Sequence, residues 1–598
     1  MLRFQKGEIT AAAERGAGTG EYHAACLGIA IQVMPDVEQL AMQRLVDDVV
    51  RLRAIDRHNP NGAVRGYQKF VAHGVGFLAT AQSCFFGYVS VNSEVTVTFP
   101  PLPAGSAPMT ENSSHRSYDE LFIGGQWHKP ANPHRLAVIS PHSEEPVGHV
   151  QVAGPEDVDA AVAAARHAFD HGPWPRMAHA DRMAKVEQLA AIYTGDIDEM
   201  ADLITDEMGS PRSFSRLGQA AAAASLMHLA LAAARDFPWA ERRQGVLGEV
   251  HLRRAPVGVV GAIVPWNVPQ FLIMPKLIPA LIAGCTVIIK PAPETPLDAL
   301  WLAEMIEQLN LPDGVVSVLP GGPNVGEALV RHPGVDKIAF TGSSSVGRRI
   351  AALCGEQLKR VSLELGGKSA AIILDDADID KTVAGLKTAG LMNNGQACVA
   401  QTRILVSERR HDEFVDALAE MMSGLRVGDP ADEATDIGPL VAQRQQRRVQ
   451  DYIRSGQQEG ARIILGGEDS PAGRGWYVRP TLFADATNDM RIAREEIFGP
   501  VLTVLRYSDE DDAIRIANES DYGLAGSVWT ADIDHGLEIA AGVRTGTYGI
   551  NMYTLDIGAP FGGFKQSGIG REFGPEGLHE YVELQTLVCK GKLPPLTN

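Results

Sequence analysis

The chain has 598 residues, which is too long for one hydrophobic core and predicts two or three domains. Its 73 acidic and 54 basic side chains give a net charge of -19, which disfavours nucleic acid or an anionic membrane as a partner, because both bind basic surfaces. The six cysteines show neither CxxC nor metal-ligand spacing. We therefore expect no disulfide framework and no metal site, and a reducing, cytoplasmic location is the simplest expectation.

The first 108 residues carry apolar clusters but no recognisable catalytic motif. They end in a proline-rich stretch, 99–108, whose composition is typical of a linker, and Met109 follows it. Two interpretations remain open for this extension. It is either a small appended domain or a translated upstream region, with Met109 as the working start.

The largely apolar segment 257–289 is the place where a hydropathy scan would look for a membrane span. Prolines at 265, 269, 275 and 279, with Lys276 among them, argue against a lipid-spanning helix. A buried strand, a turn, a helix and a second buried strand explain the segment better, so we expect no membrane span.

Apolar strand-like runs and helical stretches alternate from residue 257 onward. The strands are predicted at 257–264, 286–290, 315–319, 337–340 and 370–374, and the helices at 268–283, 295–309, 323–332 and 346–357. This alternation predicts a parallel sheet covered on both faces, with ligands bound beyond the carboxyl ends of the strands. Asn267, Lys290 and Ser343 each fall at or just past such an end.

A second α/β region is predicted from about 364 to 573. Its clearest strands are 402–406 and 500–507, and its helices include 411–424 and 440–460. Two β-prone segments flanked by charge, 235–254 and 582–590, fit neither region.

Two motifs supply a nucleophile and a base. Cys398 ends Asn-Gly-Gln-Ala-Cys, and Glu364 lies in Leu-Glu-Leu-Gly-Gly-Lys. A series of further motifs surrounds them in order: Pro265-Trp266-Asn267, Lys290-Pro291, Phe340-Thr341-Gly342-Ser343 and Glu495-Glu496-Ile497-Phe498-Gly499-Pro500. From about Tyr118 to Leu587 the chain resembles the aldehyde dehydrogenase superfamily, because such an ordered set does not arise by coincidence.

The resemblance implies an α/β fold with three parts. They are a Rossmann-like dinucleotide-binding domain (109–235 and 255–363), a catalytic domain (364–573), and a small β flap (236–254 and 574–598). In this family the flap forms a homodimer or homotetramer. Because the resemblance begins just after Met109, we favour the interpretation in which 1–108 is not part of the working protein.

The same resemblance implies NAD(P)-dependent oxidation of an aldehyde to the acid. Cys398 attacks as a thiolate, and the Asn267 side chain and the Cys398 amide stabilise the thiohemiacetal oxyanion. Hydride transfer then leaves a thioester, and Glu364 activates the water that hydrolyses it. A relative that passes the acyl group to CoA, or an inactive protein with this fold, would not be expected to retain all three residues.

The cofactor contacts are also carried over from the family: Trp266, Lys290, Gly342, Ser343, Gly347, Glu496 and Phe498. The glycine turn is G-x-x-x-x-G, which by itself is an ordinary turn. Many NAD-preferring members have glutamate three residues after the lysine, whereas this chain has Pro293 there and Glu294 next. We expect NAD because no arginine is evident nearby for a 2′-phosphate, and NADP stays open.

The substrate funnel is predicted from position to be aliphatic and roomy. Its members are Val268, Leu272, Met392, Val399, Leu555 and Ile557. No arginine for a substrate carboxylate is evident near Cys398, so apolar aldehydes are expected rather than semialdehyde acids.

Overall fold

The computed structural model describes residues 116–471 and 473–589, so the predicted extension 1–108 lies outside the described residues. The helices are α1 Pro155–Asp170, α2 His179–Gly195, α3 Ile197–Met208, α4 Arg212–Phe214, α5 Ala222–Asp236, α6 Pro269–Ala283, α7 Leu297–Glu307, α8 Pro323–Arg331, α9 Ser344–Gln357, α10 Ile379–Leu391, α11 His411–Ser423, α12 Gln443–Gln458, α13 Arg491–Arg494, α14 Glu510–Asn518, α15 Ile533–Gly542 and α16 Gly574–His579. A π-helical turn, Ser215–Ala221, joins α4 to α5.

The strands are β1 Ser117–Tyr118, β2 Leu121–Ile123, β3 Gln126–His128, β4 Arg135–Ile139, β5 Pro146–Gln151, β6 Ala240–Gly245, β7 Gly248–Pro256, β8 Val259–Ile263, β9 Thr286–Lys290, β10 Val316–Val318, β11 Lys337–Thr341, β12 Arg360–Glu364, β13 Ala370–Ile373, β14 Arg403–Ser407, β15 Arg462–Leu465, β16 Thr481–Ala486, β17 Val501–Tyr507, β18 Tyr522–Gly523, β19 Gly526–Trp529, β20 Gly549–Ile550, β21 Phe564–Lys565, β22 Gly568–Ile569 and β23 Val582–Leu587. They form two large sheets and three small ones. The predicted mixed α/β fold with parallel sheets is confirmed.

Five parallel strands form the middle of the first sheet, in the order β12, β11, β8, β9, β10. Antiparallel β22 extends one edge, and β2 and β3 extend the other. Alternate side chains of β8 enter different cores: Val260 and Ala262 pack in one, Val259 and Ile263 in the other. Burial on both faces explains why these strands are continuously apolar.

The strand order of the first sheet reverses between β8 and β11, because β9 and β10 follow on one side of β8 while β11 and β12 lie on the other. The register aligns Ile263 with Lys290 and Thr341 with Glu364 across neighbouring strands. The carboxyl ends of the parallel strands therefore share one edge, and ligands bind at such a switch point.

The second large sheet has the order β15, β16, β17, β14, β13, β19, β20 and is parallel except for β15. The two predicted β-prone segments meet in a small antiparallel sheet, in which β7 lies between β6 and β23. The short strand β22 pairs with β12, so the segment before α16 returns to the first sheet.

One helical stretch among the described residues, Arg212–Asp236, is long and apolar enough by length and composition to be a candidate membrane span. Its side chains Leu226, Met227 and Leu231 are buried in the same core as α6, and α5 contacts α2, α6 and α16. This packing gives the hydropathy of the stretch an explanation within the fold.

Candidate active site

The loop that carries Cys398 begins with three consecutive residues in the left-handed backbone region. These are Asn393, Asn394 and Gly395, with φ of 54°, 61° and 72°. Asparagine tolerates this region better than other side chains, and glycine adopts it freely. A Cβ at Gly395 would lie 2.2 Å from the Gly499 carbonyl oxygen, so the site requires glycine.

Asn394 fixes this loop through buried hydrogen bonds. Its Nδ2 donates to the carbonyl oxygens of Gly209 and Pro439, at 2.9 Å each, and its Oδ1 accepts from the Gly438 amide at 2.6 Å. A satisfied buried amide holds a single conformation, because any other would leave polar groups unpaired.

Asn267 is tied to the same loop. Its Nδ2 donates to the Gln396 carbonyl oxygen at 3.0 Å, and its own carbonyl oxygen accepts from Asn393 Nδ2 at 2.8 Å. Asn267 is 4% exposed. The Asn267 side chain, which was predicted to stabilise the oxyanion, is therefore held beside the cysteine loop. One of its two N–H groups is used in the hydrogen bond to Gln396.

A cavity of about 400 Å³ brings most of the predicted residues together. It is lined by Trp266, Asn267, Gly342, Ser343, Cys398, Glu496 and Phe498. The rings of Trp266 and Phe498 meet edge to face, with centroids 5.3 Å apart. Residues separated by more than two hundred positions in the chain thus share one concave site.

A second cavity, of about 580 Å³, adjoins the first and contains Lys290. The two share five lining residues: Pro265, Trp266, Thr341, Gly342 and Arg444. Burial lowers the pKa of Lys290 to about 8, and its Nζ donates to the Pro291 carbonyl oxygen at 2.8 Å.

Gly347 faces the Leu365 side chain, and a Cβ at this position would lie 2.5 Å from it. Gly347 therefore allows α9 to pack closely against Leu365.

Helix α9 starts where the two cavities meet. Ser343 is its N-cap residue and makes no side-chain capping bond, and a Cβ at Gly342 would lie 2.5 Å from the Phe340 ring. The free amides and positive dipole end of a helix start favour a phosphate group. An elongated two-part cavity with this start at its centre fits a dinucleotide.

Glu364 is the last residue of β12 and is 4% exposed. Its Oε1 points towards Gly562, where a Cβ would lie 2.8 Å away, and its Oε2 has no hydrogen-bond partner among the described residues. Burial, and next the charge of Glu572, raise the pKa of Glu364 well above its usual value. Leu365 and Gly366, which follow it, line the first cavity.

Sequence reasoning missed two buried residues whose charges act on Glu364, namely Lys276 and Glu572. Lys276 Nζ donates to Glu572 at 2.6 Å and to Thr341 Oγ1 at 2.7 Å. Lys276 is fully buried and is the one charged residue of α6. That single lysine in an apolar run was the signal that could have found the group.

The Cys398 thiol is held protonated in the free protein. Burial is the largest cause, and the charges of Glu496 and Glu364 add to it, so that the pKa of the thiol rises to about 12. Glu496 accepts a hydrogen bond from the Gly367 amide at 3.0 Å, and burial raises its pKa to about 7. Reaction at Cys398 therefore needs a base or a nearby positive charge.

The profile of the Aldehyde dehydrogenase family matches residues 127–587. The chain belongs to the aldehyde dehydrogenase family. The resemblance inferred from the motifs is confirmed, and the chain is an oxidoreductase that oxidises aldehydes.

Two curated relatives and one solved structure match this aldehyde dehydrogenase over most of its length. Geranial dehydrogenase of Castellaniella defragrans is 45% identical over 475 residues, which cover 79% of this chain and 99% of the relative. The 3-succinoylsemialdehyde-pyridine dehydrogenase of a Pseudomonas species is 43% identical over 479 residues, covering 79% and 99%. The Mycobacterium tuberculosis aldehyde dehydrogenase complexed with NAD+ has a TM-score of 0.78 and 48% identity, covering 79% of this chain and 98% of that one.

The predicted funnel residues all pack in the same hydrophobic cluster as Cys398. They are Val268, Leu272, Met392, Val399, Leu555 and Ile557. Aromatic residues that the sequence interpretation left out join this cluster: Phe271 and Phe561 each contact the ring of Phe573, at centroid distances of 5.8 and 5.7 Å. The cluster extends through much of the core, and none of the six predicted residues lines either of the two cavities, so the funnel stays a prediction.

The expectation that no arginine lies near Lys290 to bind a 2′-phosphate is wrong. Arg444 lines both cavities, Arg448 lines the first and Arg349 lines the second. Arg444 and Arg448 belong to α12, which begins about 150 residues after Lys290. No local pattern in the sequence connects them to the glycine turn.

Proposed function

We propose that this aldehyde dehydrogenase oxidises apolar aldehydes to carboxylic acids with NAD+, and that Cys398 carries the acyl group. The strongest support is the position of Cys398 beside Asn267, in a cavity that leads directly to the start of α9. A nucleophile, a donor for an oxyanion and a phosphate-binding helix start in one cleft are what this reaction needs.

The thiol of Cys398 loses its proton as the sulfur attacks the aldehyde carbon, with a nearby carboxylate as acceptor. The resulting oxyanion accepts hydrogen bonds from the Cys398 amide and from the second N–H of Asn267. The hydride that leaves the thiohemiacetal carbon, which becomes the thioester carbon, would pass to NAD+ bound in this cleft.

Glu364 then removes a proton from the water that attacks the thioester, and the acid leaves as the C–S bond breaks. Lys276 donates hydrogen bonds to Glu572 and to Thr341 at the cavity wall, and the charges of Glu572 and Lys276 both act on Glu364. This buried group therefore influences how readily Glu364 holds the proton.

NAD+ would be held along both cavities, with its pyrophosphate at Gly342 and Ser343 and one ribose at Lys290. Glu496 and Phe498 would hold the nicotinamide end beside Cys398. The neighbouring Mycobacterium tuberculosis enzyme was solved with NAD+, which supports this cofactor for the present chain.

The apolar substrate class rests on the hydrophobic cluster around Cys398. Geranial, the substrate named for one relative, is of this class, whereas the other relative is named for an aldehyde with a pyridine ring. An assay panel should therefore compare an aliphatic aldehyde with a carboxylate-bearing aldehyde of equal length, each with and without CoA.

We also propose that the enzyme works as a homodimer or homotetramer in the cytoplasm. The small sheet β6–β7–β23 and its surroundings expose large apolar side chains: Val246, Leu247, Leu584, Leu587 and Val588. Exposed apolar side chains grouped in this way favour a subunit interface. Light scattering should give a multiple of the subunit mass, and Leu247→Asp should lower it; a monomeric wild-type protein would contradict the proposal.

Cys398→Ala tests the catalytic role directly. We expect NADH formation to fall to background while the affinity for NAD+, measured by titration calorimetry, changes little. Turnover retained in this variant would overturn the proposed mechanism. Acid formation that required CoA would instead indicate acyl transfer to a thiol.

A further inference from the structure

Glu294 and Arg444 form an ion pair at the second cavity. The Glu294 side chain is 13% exposed, whereas that of Arg444 is 62% exposed. Among the charged residues found to line the two cavities, Arg444 is the one common to both. The pair therefore lies where the cavities join, on the wall that also contains Lys290 and Pro293.

Glu294 is the carboxylate next along the chain from Pro293, which cannot accept a hydrogen bond from a ribose through its side chain. Arg444 comes from α12, outside the first sheet. An arginine paired with a carboxylate attracts a phosphate less strongly, because the adjacent negative charge offsets that of the guanidinium and itself repels a phosphate dianion.

We propose that the Glu294–Arg444 pair sets the preference of this enzyme for NAD+ over NADP+. This inference rests on the proposed dinucleotide site. Arg444 keeps the Glu294 carboxylate at the cavity wall, and the charge of Glu294 offsets the guanidinium charge that would otherwise attract a 2′-phosphate. The preference thus comes from a carboxylate one position later than in related enzymes, held by a distant helix.

The two members of the pair act in opposite directions, which makes the inference testable. Removing the Glu294 charge frees a cation that suits a phosphate dianion, whereas removing the Arg444 charge leaves a carboxylate that repels it. An arginine that lines neither cavity offers a matched control, since Arg410 donates to both oxygens of Glu413 at 3.0 and 3.2 Å.

Titration calorimetry of the full chain with NAD+ and with NADP+ should compare wild type, Glu294→Gln, Arg444→Gln, the double variant and Glu413→Gln. We expect Glu294→Gln to raise the affinity for NADP+ relative to NAD+ by roughly tenfold, because a freed guanidinium pairs strongly with phosphate. Arg444→Gln should move the ratio the other way. The double variant should return towards wild type, and Glu413→Gln should stay within about twofold of it.

Equal ratios in the wild type and both single variants, or shifts of the same sign in both, would overturn the inference. So would a gain in Glu413→Gln equal to that in Glu294→Gln, because an arginine freed outside both cavities would then suffice. If the wild type binds NAD+ and oxidises aldehydes, each of these outcomes overturns the inference about cofactor preference but leaves the proposed function intact. A wild type that binds neither dinucleotide would overturn both.

Discussion

Lys276 donates a 2.6 Å hydrogen bond to Glu572, and both side chains are buried. The same ammonium group donates to Thr341, which lines both cavities. Glu572 raises the pKa of Glu364, while Lys276 lowers it. Burial is the largest cause of the raised pKa of Glu364, and this buried pair adjusts that pKa further, in opposite directions.

Glu572→Gln should shift the pH dependence of kcat to lower pH. The variant removes the carboxylate whose charge raises the pKa of Glu364 and leaves Lys276, which lowers it, so that Glu364 ionises more easily. Glu576→Gln, at an exposed position of α16, is the control and should leave the profile unchanged. A profile that stays in place or moves to higher pH in Glu572→Gln would contradict this coupling.

Alkylation of Cys398 by iodoacetamide should be slow in the free enzyme at neutral pH and should still be rising at pH 10, because the pKa of the thiol lies near 12. Glu496→Gln should speed the reaction at fixed pH, since it removes a negative charge that opposes the thiolate. Peptide mass spectrometry separates Cys398 from the exposed Cys589. A plateau below pH 8 would show that the thiol is already activated without cofactor.

Asp298 should make the enzyme less stable as pH rises. Burial raises its pKa from 3.8 to about 7, so the native state holds a proton that the unfolded chain releases above pH 4. The contribution of Asp298 to the free energy of unfolding is fully present below the pKa that this residue has in the unfolded chain. It decreases as pH rises towards 7, by at most about 1.4 kcal/mol per pH unit. Asp298→Asn resembles the protonated carboxyl and should flatten this dependence.

Thermal melting at pH 5 and pH 7.5 measures the effect. Between these pH values, the melting temperature of the wild type should fall by more than that of Asp298→Asn. Equal losses would mean that Asp298 is ionised in the native state, despite its burial beside Glu207 and Gln270.

Much of the fold was predictable because its central strands are continuous apolar runs bounded by turn residues. Helix α6 was expected at 268–283 and spans Pro269–Ala283. The helices and strands before residue 235 were not predicted, since α1 and α5 are rich in alanine, whose small side chain gives a weak apolar periodicity. Strands of two residues, such as β18 and β21, also carry too little pattern to detect.

The site was predictable where residues follow strands of one sheet. Trp266 follows β8, Lys290 ends β9, Gly342 follows β11 and Glu364 ends β12, so sheet topology brings them to one edge. Contacts made across the tertiary structure leave no such signal. Lys276 and Glu572 are 296 residues apart, and Arg444 reaches Glu294 from another helix.

Glu364→Gln provides the most direct test of the central claim, which is that Cys398 carries an acyl group that Glu364 helps water to release. The variant should be mixed with NAD+ and an apolar aldehyde, followed by NADH absorbance, and then examined by intact-protein and peptide mass spectrometry. We expect a burst of about one NADH per active site, very slow turnover afterwards, and an acyl adduct on Cys398. Steady turnover at the wild-type rate, or a burst without an adduct on Cys398, would contradict the account.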